Sequence, residues 1–457
     1  MLEDETALAE ATGEAMRELA STVTDAPPLR LAPRRGRVTR PARQRSWKLW
    51  AVPLTAAVAV VALAVALVAV RDMSAAPATH LTHPPAQPAT APTYYVGTTT
   101  TCGPEQEHCA TPRLVVGDTY TGARVAAIIS PAGGVFGTVS GAADDRTFVT
   151  DTYPNPDGTV AQTQPATWYL IKIRPGSATP ARLTKLPIRD TLPAADVQVV
   201  ALSASGRELA VLYHLGSPTY VNGTTVLRTY SVATGQLLHT WSTGRKLLFG
   251  TDGFGQYEQT SNLLHWVDGD RAVAFTASPY TQPSSGHITY TGATTVRVLD
   301  MAASGHDLIA DSREAWSMPA SPPGDSGDSG TCDQNDPTPS LAANGQTVVC
   351  TGWSKTEIGS GKKAPVLWRM TWLTYQTSAP KVARIVYQAT SRVPAGHGGI
   401  EGSVLWTDPS GSTMIIAWIP SFTDSSVIHF GLVRQGTFTP LPAPPGNPLS
   451  LVSGIAW

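Results

Sequence analysis

From Val139 onward, apolar runs alternate with tight polar turns at a regular interval. Five stretches share one pattern, an apolar strand, a short polar turn and a second apolar strand: "VSGAADDRTFVTDTY" from 139, "ALSASGRELAVLY" from 201, "LHWVDGDRAVAF" from 264, "SLAANGQTVVCTGW" from 340 and "VLWTDPSGSTMIIAW" from 404. Four of the turns centre on a Gly flanked by Ser, Asp or Asn. Those residues accept the left-handed backbone that a tight hairpin needs, so each stretch is predicted to be a β-hairpin. A second strand pair follows each one: "TWYLIKIRPGSATPARLTKLP" from 167, "TTVLRTYSVATGQLLHTW" from 224, "TTVRVLDMAASGHDLIADSREAW" from 294, "PVLWRMTWLTYQTSAPKVARIVYQ" from 365 and "SVIHFGLVRQGTFTPLP" from 426.

A four-stranded unit recurring every ~60 to 75 residues is longer than the ~40 to 50 of compact propeller blades, and the surplus lies in loops. Two leftovers complete the count. "PRLVVGDTYTGARVAAI" from 112 matches an outer strand pair, with only "TYYVGTTT" before it and no innermost strand, while "PLSLVSGIAW" at the other terminus is an innermost strand with nothing after it. If the second supplies what the first lacks, one blade is shared by both ends and the sheet edges between first and last blades disappear. The expected fold is all-β, a six-bladed β-propeller over 93–457, or seven-bladed if the 317–340 region holds further strands.

The pattern before residue 93 is different. Leu49 to Val70, "LWAVPLTAAVAVVALAVALVAV", carries no charge. As a helix it would extend roughly 33 Å, enough to cross a hydrocarbon core. A secretory signal would have a shorter apolar core, and Pro77 after the small residues 74–76 disfavours cleavage, so 49–70 is read as a single uncleaved transmembrane helix. Charge gives its direction. Eight bases and no acid lie between Arg30 and Lys48, and only Arg71 follows the span closely, which places the N-terminus in the cytoplasm and the remainder outside.

Residues 1–48 then form a cytoplasmic tail, a short acidic helix followed by the basic run. Residues 71–92, rich in Pro, Ala and Thr, form an extended stalk. The basic run is suited to anionic lipid headgroups, so the bilayer is the expected partner there. Arg35-Gly36-Arg37 lacks the Pro of a minor-groove hook at Val38, and no nucleic-acid partner is expected. His80 and His83, on a stalk without fixed geometry, make no metal site.

Composition agrees: 38 Pro, 40 Gly and 15% charged residues suit many short strands with frequent turns. All four cysteines lie beyond the span, in two sequence-local pairs, Cys102 with Cys109 and Cys332 with Cys350. An oxidising compartment favours two disulfides, and proximity favours the local pairing among three connectivities.

"SGAADDRTFVTDTY" and "TVLRTYSVATGQL" resemble the "SPDG" repeats of WD-like and Tol-system periplasmic propellers. With the Arg-rich anchor, the whole layout resembles the single-pass, propeller-bearing membrane proteins of actinobacteria. The resemblance implies architecture and, by analogy, a binding role. The Trp-Asp and Gly-His pairs of true WD repeats and the paired Gly of kelch repeats are missing.

Candidate chemistry concentrates in "PPGDSGDSGTCDQNDP", 322–337. Its doubled GDSG matches the surroundings of a serine-protease nucleophile, but the Ala-Ala-His-Cys context of the general base appears nowhere, and Ser326 and Ser329 read as loop residues. Asp325, Asp328, Asp333, Asn335 and Asp336 offer hard oxygens for calcium at a spacing unlike an EF-hand. "DTYPNPDGT" at 151 reads as a weaker case of the same kind, more simply a turn. "TDPSGSTMIIAW" approaches, without matching, the Asp box of sialidase-type propellers. Trp353, Trp368, Trp372 and Trp406 suit either a sugar or peptide platform or packing between blades, and packing is the more economical reading.

No catalytic, cofactor or metal residue is therefore assigned. The expectation is a cell-membrane protein whose extracytoplasmic propeller binds a protein or glycan. Two alternatives stand beside it: a transmembrane regulator acting through residues 1–48, and a hydrolase acting on envelope glycan or peptide.

Overall fold

The computed structural model describes residues 91–99, 113–131, 134–154, 164–194, 197–215, 224–243, 247–248, 264–281, 289–290, 293–318, 332, 339–358, 364–394, 399–421, 427–443 and 455–457. The tail at 1–48, the span at 49–70 and the stalk up to residue 90 lie outside them. Among the described residues no helix is long and apolar enough to cross a membrane.

The chain opens with β1 (Tyr94–Thr99), β2 (Arg113–Asp118) and β3 (Arg124–Ile129). Blade 1 follows as β4 (Gly134–Gly141), β5 (Thr147–Pro154), β6 (Thr167–Ile173) and β7 (Ala181–Lys185). Blade 2 is β8 (Val197–Leu202), β9 (Glu208–Leu215), β10 (Thr224–Ser231) and β11 (Leu237–Ser242). Blade 3 contains β12 (Leu247–Leu248), β13 (Leu264–Val267), β14 (Ala272–Thr281), β15 (Thr289–Tyr290), β16 (Thr295–Asp300) and β17 (Ser312–Ser317). Here β13, β14, β16 and β17 are the four blade strands, and β12 and β15 add short pairings at the far end of β14. Blade 4 is β18 (Ser340–Leu341), β19 (Thr347–Glu357), β20 (Val366–Gln376) and β21 (Ala379–Val393), and blade 5 is β22 (Glu401–Thr407), β23 (Thr413–Ile419), β24 (His429–Arg434) and β25 (Thr437–Pro440). Last comes β26 (Ile455–Ala456).

β26 supplies the missing innermost strand. It pairs antiparallel with β1, Val96 opposite Ala456 and Gly97 opposite Ile455, giving a sixth sheet in the order β26-β1-β2-β3. The protein is an all-β six-bladed propeller. Adjacent blades touch in sequence round the ring, β4 with β8, β8 with β13, β13 with β18, β19 with β22, β22 with β26 and β26 with β4, and the described residues form six blades. The five hairpins and the five outer pairs expected from the pattern are all present.

Burial explains why the array holds. Within a blade the second strand has both faces covered, as in β9, whereas outer strands such as β11 alternate with exposed positions. The apolar residues sort into six clusters, one between each pair of adjacent blades. Each blade is thus a thin sheet that buries its faces only against its neighbours, and removing one exposes two clusters.

The closing cluster gathers round Trp457. Its indole N–H donates to Thr119 Oγ1 at 3.1 Å, its ring stacks on Phe430 at 5.7 Å between centroids, and Tyr95 packs at 6.0 Å. Its carbonyl lies where a side chain at Gly141 of blade 1 would stand. One residue therefore touches blades 5, 6 and 1.

Candidate functional site

The hairpin tips show how the repeat works. Positive φ falls at equivalent points of four turns: Asp145 (51°), Gly206 (69°), Gly345 (68°) and Gly411 (70°). Asp tolerates the left-handed region better than most residues with a Cβ, so "ADDR" turns without glycine. Two backbone N–H groups at the end of each turn need an acceptor, and two solutions occur. Where the turn begins with Ala142 or Ala342, the third residue supplies it: Asp144 Oδ1 accepts from Arg146 and Thr147 at 3.0 and 2.7 Å, and Asn344 Oδ1 from Gln346 and Thr347 at 2.9 and 3.1 Å. Where the turn begins with Ser203 or Asp408, that first residue does so. Ser203 Oγ accepts from Arg207 and Glu208 at 3.1 Å each, and Asp408 Oδ1 from Ser412 and Thr413 at 2.8 and 3.2 Å.

The tips also join into a rim. Ala143 N–H donates to Ala204 O at 3.2 Å, Asp268 N–H to Ala343 O at 3.2 Å and Asn344 N–H to Pro409 O at 2.9 Å. Asp270, in the third turn, receives Ala204 and Ser205 N–H at 2.7 and 2.9 Å. Thr93 N–H donates to Asp145 Oδ2 at 2.8 Å, which seats the start of β1 on the same rim. The chain therefore enters the propeller on the tip face.

The opposite end of the second strands is built differently. There the strand ends are far apart in sequence: Thr99 from Arg113, Pro154 from Thr167, Leu215 from Thr224 and Thr281 from Thr295. The same holds from Ser242 to Leu264 and from Ser317 to Ser340, where one blade passes to the next. One face is a short-turn rim, and the other carries the long connections.

Cys332, in the Ser317–Ser340 connection, is bonded to Cys350 on β19 with Cα atoms 5.8 Å apart. Both are buried between blades 3 and 4, so the connection holding the doubled GDSG is pinned into the core at that point. Ser326, Ser329, Asp325, Asp328, Asp333, Asn335 and Asp336 lie outside the described residues, as do Cys102 and Cys109. Of the tryptophans, Trp372 is fully buried, Trp353 and Trp368 pack on each other at 5.2 Å against the cluster between blades 4 and 5, and Trp406 packs between blades 5 and 6. All four serve blade packing. Trp418 stacks on His429 at 3.9 Å beside them.

The reading of Asp151 as a turn residue is corrected. It lies within β5, completely buried, facing a bulge in β4. Its Oδ1 accepts from Thr138 N–H at 2.6 Å and Thr138 Oγ1 at 2.8 Å, and Gly137 has no room for a Cβ against the carboxylate. Burial pushes the carboxyl up to about 6, against the pull of the Thr138 hydrogen bonds. A proline-rich sequence after residue 153 disguised the strand, and nothing local marks an aspartate as buried.

A second polar cluster was invisible in the sequence because its members lie far apart. Arg228 Nη1 donates to Asp190 Oδ1 at 2.6 Å, and Tyr213 donates to Asp190 Oδ2. Thr191 and Leu192 N–H also reach Asp190 Oδ1, at 2.7 and 3.1 Å. The carboxylate is 1% exposed. Burial, then the Asp190 charge, holds the Tyr213 phenol well above its ordinary value. This cluster fastens the connection leaving blade 1 onto blade 2, alongside the close approach of Pro187 to Gly235. Among the described residues no three His, Cys, Asp or Glu side chains gather so as to hold a metal ion.

No protein-family model matches the chain. No curated protein matches it either. Among solved structures it is similar to the β-propeller domain of the Trilobed protease from Pyrococcus furiosus, 7% identical over 78% of this chain and 95% of that one, with a TM-score of 0.37. It is also similar to the periplasmic gluconolactonase of Pseudomonas aeruginosa, 12% identical over 76% and 98% of the two chains, TM-score 0.30. A third is the WD40 domain of SCAP from fission yeast, 10% identical over 71% and 80%, TM-score 0.28. These likenesses concern fold and carry nothing about activity.

Proposed function

We propose that this chain is a single-pass membrane protein whose extracytoplasmic propeller is a binding and scaffolding module of the cell envelope, and that it meets its protein or glycan ligand with the long-connection face. The observation that carries this reading is the segregation of the two faces. The chain reaches the ring at Thr93 on the tip rim, so the proposed ligand face is the one opposite its point of entry. A rigid ring presenting long connections on one side is a scaffold for recognition without chemistry.

Topology is tested by membrane-impermeant biotin-maleimide on intact cells carrying Ser177→Cys or Ser21→Cys. Ser177 is exposed in the turn between β6 and β7, and its cysteine should be labelled directly, while that at position 21 should react only after lysis. The reverse pattern would refute the membrane orientation. The face is tested by attaching a polyethylene glycol chain through a cysteine at Thr356, exposed at the long-connection end of β19, or at Ser177. Capture of envelope material by the full chain should be blocked by the first and kept by the second; blockage only at Ser177 would reassign the binding face.

A further inference from the structure

We infer that the outer edge of blade 4 is a docking site for an extended acidic polypeptide segment, which adds to β21 as a fifth strand. The outermost strands of the other five blades are short: 6 residues in β3, 5 in β7, 6 in β11, 6 in β17 and 4 in β25. β21 has 15. It is hydrogen-bonded on one side only, to β20, so among the described residues its other edge presents an open row of backbone N–H and C=O groups. Proteins ordinarily shorten or cover such edges because any extended chain can pair with them.

The open run is bounded. At one end the Trp316 indole donates to Pro380 O at 3.2 Å, tying the start of β21 to blade 3. At the other, the ladder shifts between Trp372 and Leu373, leaving Val386 as the extra residue; a second shift between Tyr375 and Gln376 leaves 380–382 without partners on β20, so the regular part of the open edge is Ala383 to Ile385. Every residue from Ala379 to Ile385 is exposed, and Val382 and Ile385 are 68% and 60% exposed, aliphatic side chains left in water at the edge of a sheet. A partner strand would cover them.

Charge selects the partner. Lys381 and Arg384 are exposed in the open run, Arg392 and Arg369, the latter opposite Thr390, are exposed farther along the same two strands, and the sequence holds no carboxylate between Pro380 and Ile400. Two copies of this chain paired edge to edge would bring these cations together with no acid between them, so self-pairing is disfavoured. An acidic strand meets the same cations favourably while its backbone completes the ladder and its apolar residues cover Val382 and Ile385. The backbone row is what specifies a polypeptide over another anionic polymer. This inference does not depend on which side of a membrane the propeller occupies.

The test measures fluorescence anisotropy of labelled acetyl-Glu-Val-Glu-Val-Glu-Val-amide with the full chain. Its lysine counterpart and a version N-methylated at alternate residues, which cannot complete a ladder, serve as the other probes. The glutamate peptide should bind, and N-methylation should weaken it by about tenfold or more. The double variant Lys381→Glu/Arg384→Glu should lose it by a similar factor and gain the lysine peptide, with an unchanged unfolding midpoint because both side chains are exposed. The inference is overturned by absence of binding to the wild type, by equal binding of the N-methylated peptide, or by a charge-reversed variant that still prefers glutamate.

Discussion

Asp151 shows how much one side chain can decide. Its carboxyl, sealed under the β4 bulge, ionises near 6 when folded and near 4 when the chain is unfolded, so the folded state holds the proton more tightly. The sign follows directly: this raised value favours folding fully below about pH 4, and the contribution is lost as pH rises through about 6. Asp151→Asn keeps an acceptor for Thr138 and removes the buried charge. It should raise stability at pH 7.5 by an amount on the order of 2 kcal/mol and flatten the pH dependence between 4 and 6. Chemical denaturation of both proteins across that range checks it, and a variant less stable at neutral pH would show that the charge is compensated. Asp190 makes the contrasting case, a buried carboxylate whose charge is met by Arg228 and two backbone N–H groups. Neither aspartate could be told from its neighbours in the sequence. Burial is decided by the facing blade, and the partners of Asp190 stand 38 and 23 residues away.

The hairpin tips, by contrast, were legible, because their constraint is local. Left-handed backbone at one position and two N–H groups in need of an acceptor leave few residue choices, and the sequence displays them. The alternation between first-residue and third-residue acceptors predicts compensation within one turn. Ser203→Ala removes the acceptor for Arg207 and Glu208 N–H and should cost about 1 kcal/mol. Adding Ser205→Asn turns that tip into the Ala-Ala-Asn-Gly arrangement of blade 4 and should restore most of the loss. A double-mutant cycle by thermal unfolding reads the coupling, and strictly additive losses would contradict the two-solution account. The exceptional length of β21 was less legible, since an outer strand running past its neighbours has the same apolar and polar alternation as one that stops.

At the scale of the molecule, closure was readable from counting. One end lacked an innermost strand and the other had one to spare, and an open ring would leave two sheet edges and a half-exposed cluster. What counting could not show is that Trp457 would touch three blades, or that the chain would arrive on the rim opposite the long connections. Both depend on how twisted sheets fan around an axis, and no local pattern encodes that. Trp457→Ala should be among the most destabilising single changes in the ring, by about 3 to 5 kcal/mol, since it leaves a cavity in the cluster between blades 5 and 6 and takes the hydrogen-bond donor from Thr119 Oγ1.

The most direct test of the closed ring is hydrogen exchange of the segment 93–99, followed by mass spectrometry, in the full chain and in a chain ending at Gly454. β1 lies between β26 and β2, with β26 covering Val96 and Gly97, so the segment should exchange slowly in the full chain and markedly faster once Ile455 to Trp457 are removed. Equal exchange in the two chains would mean that the ends do not meet in one sheet.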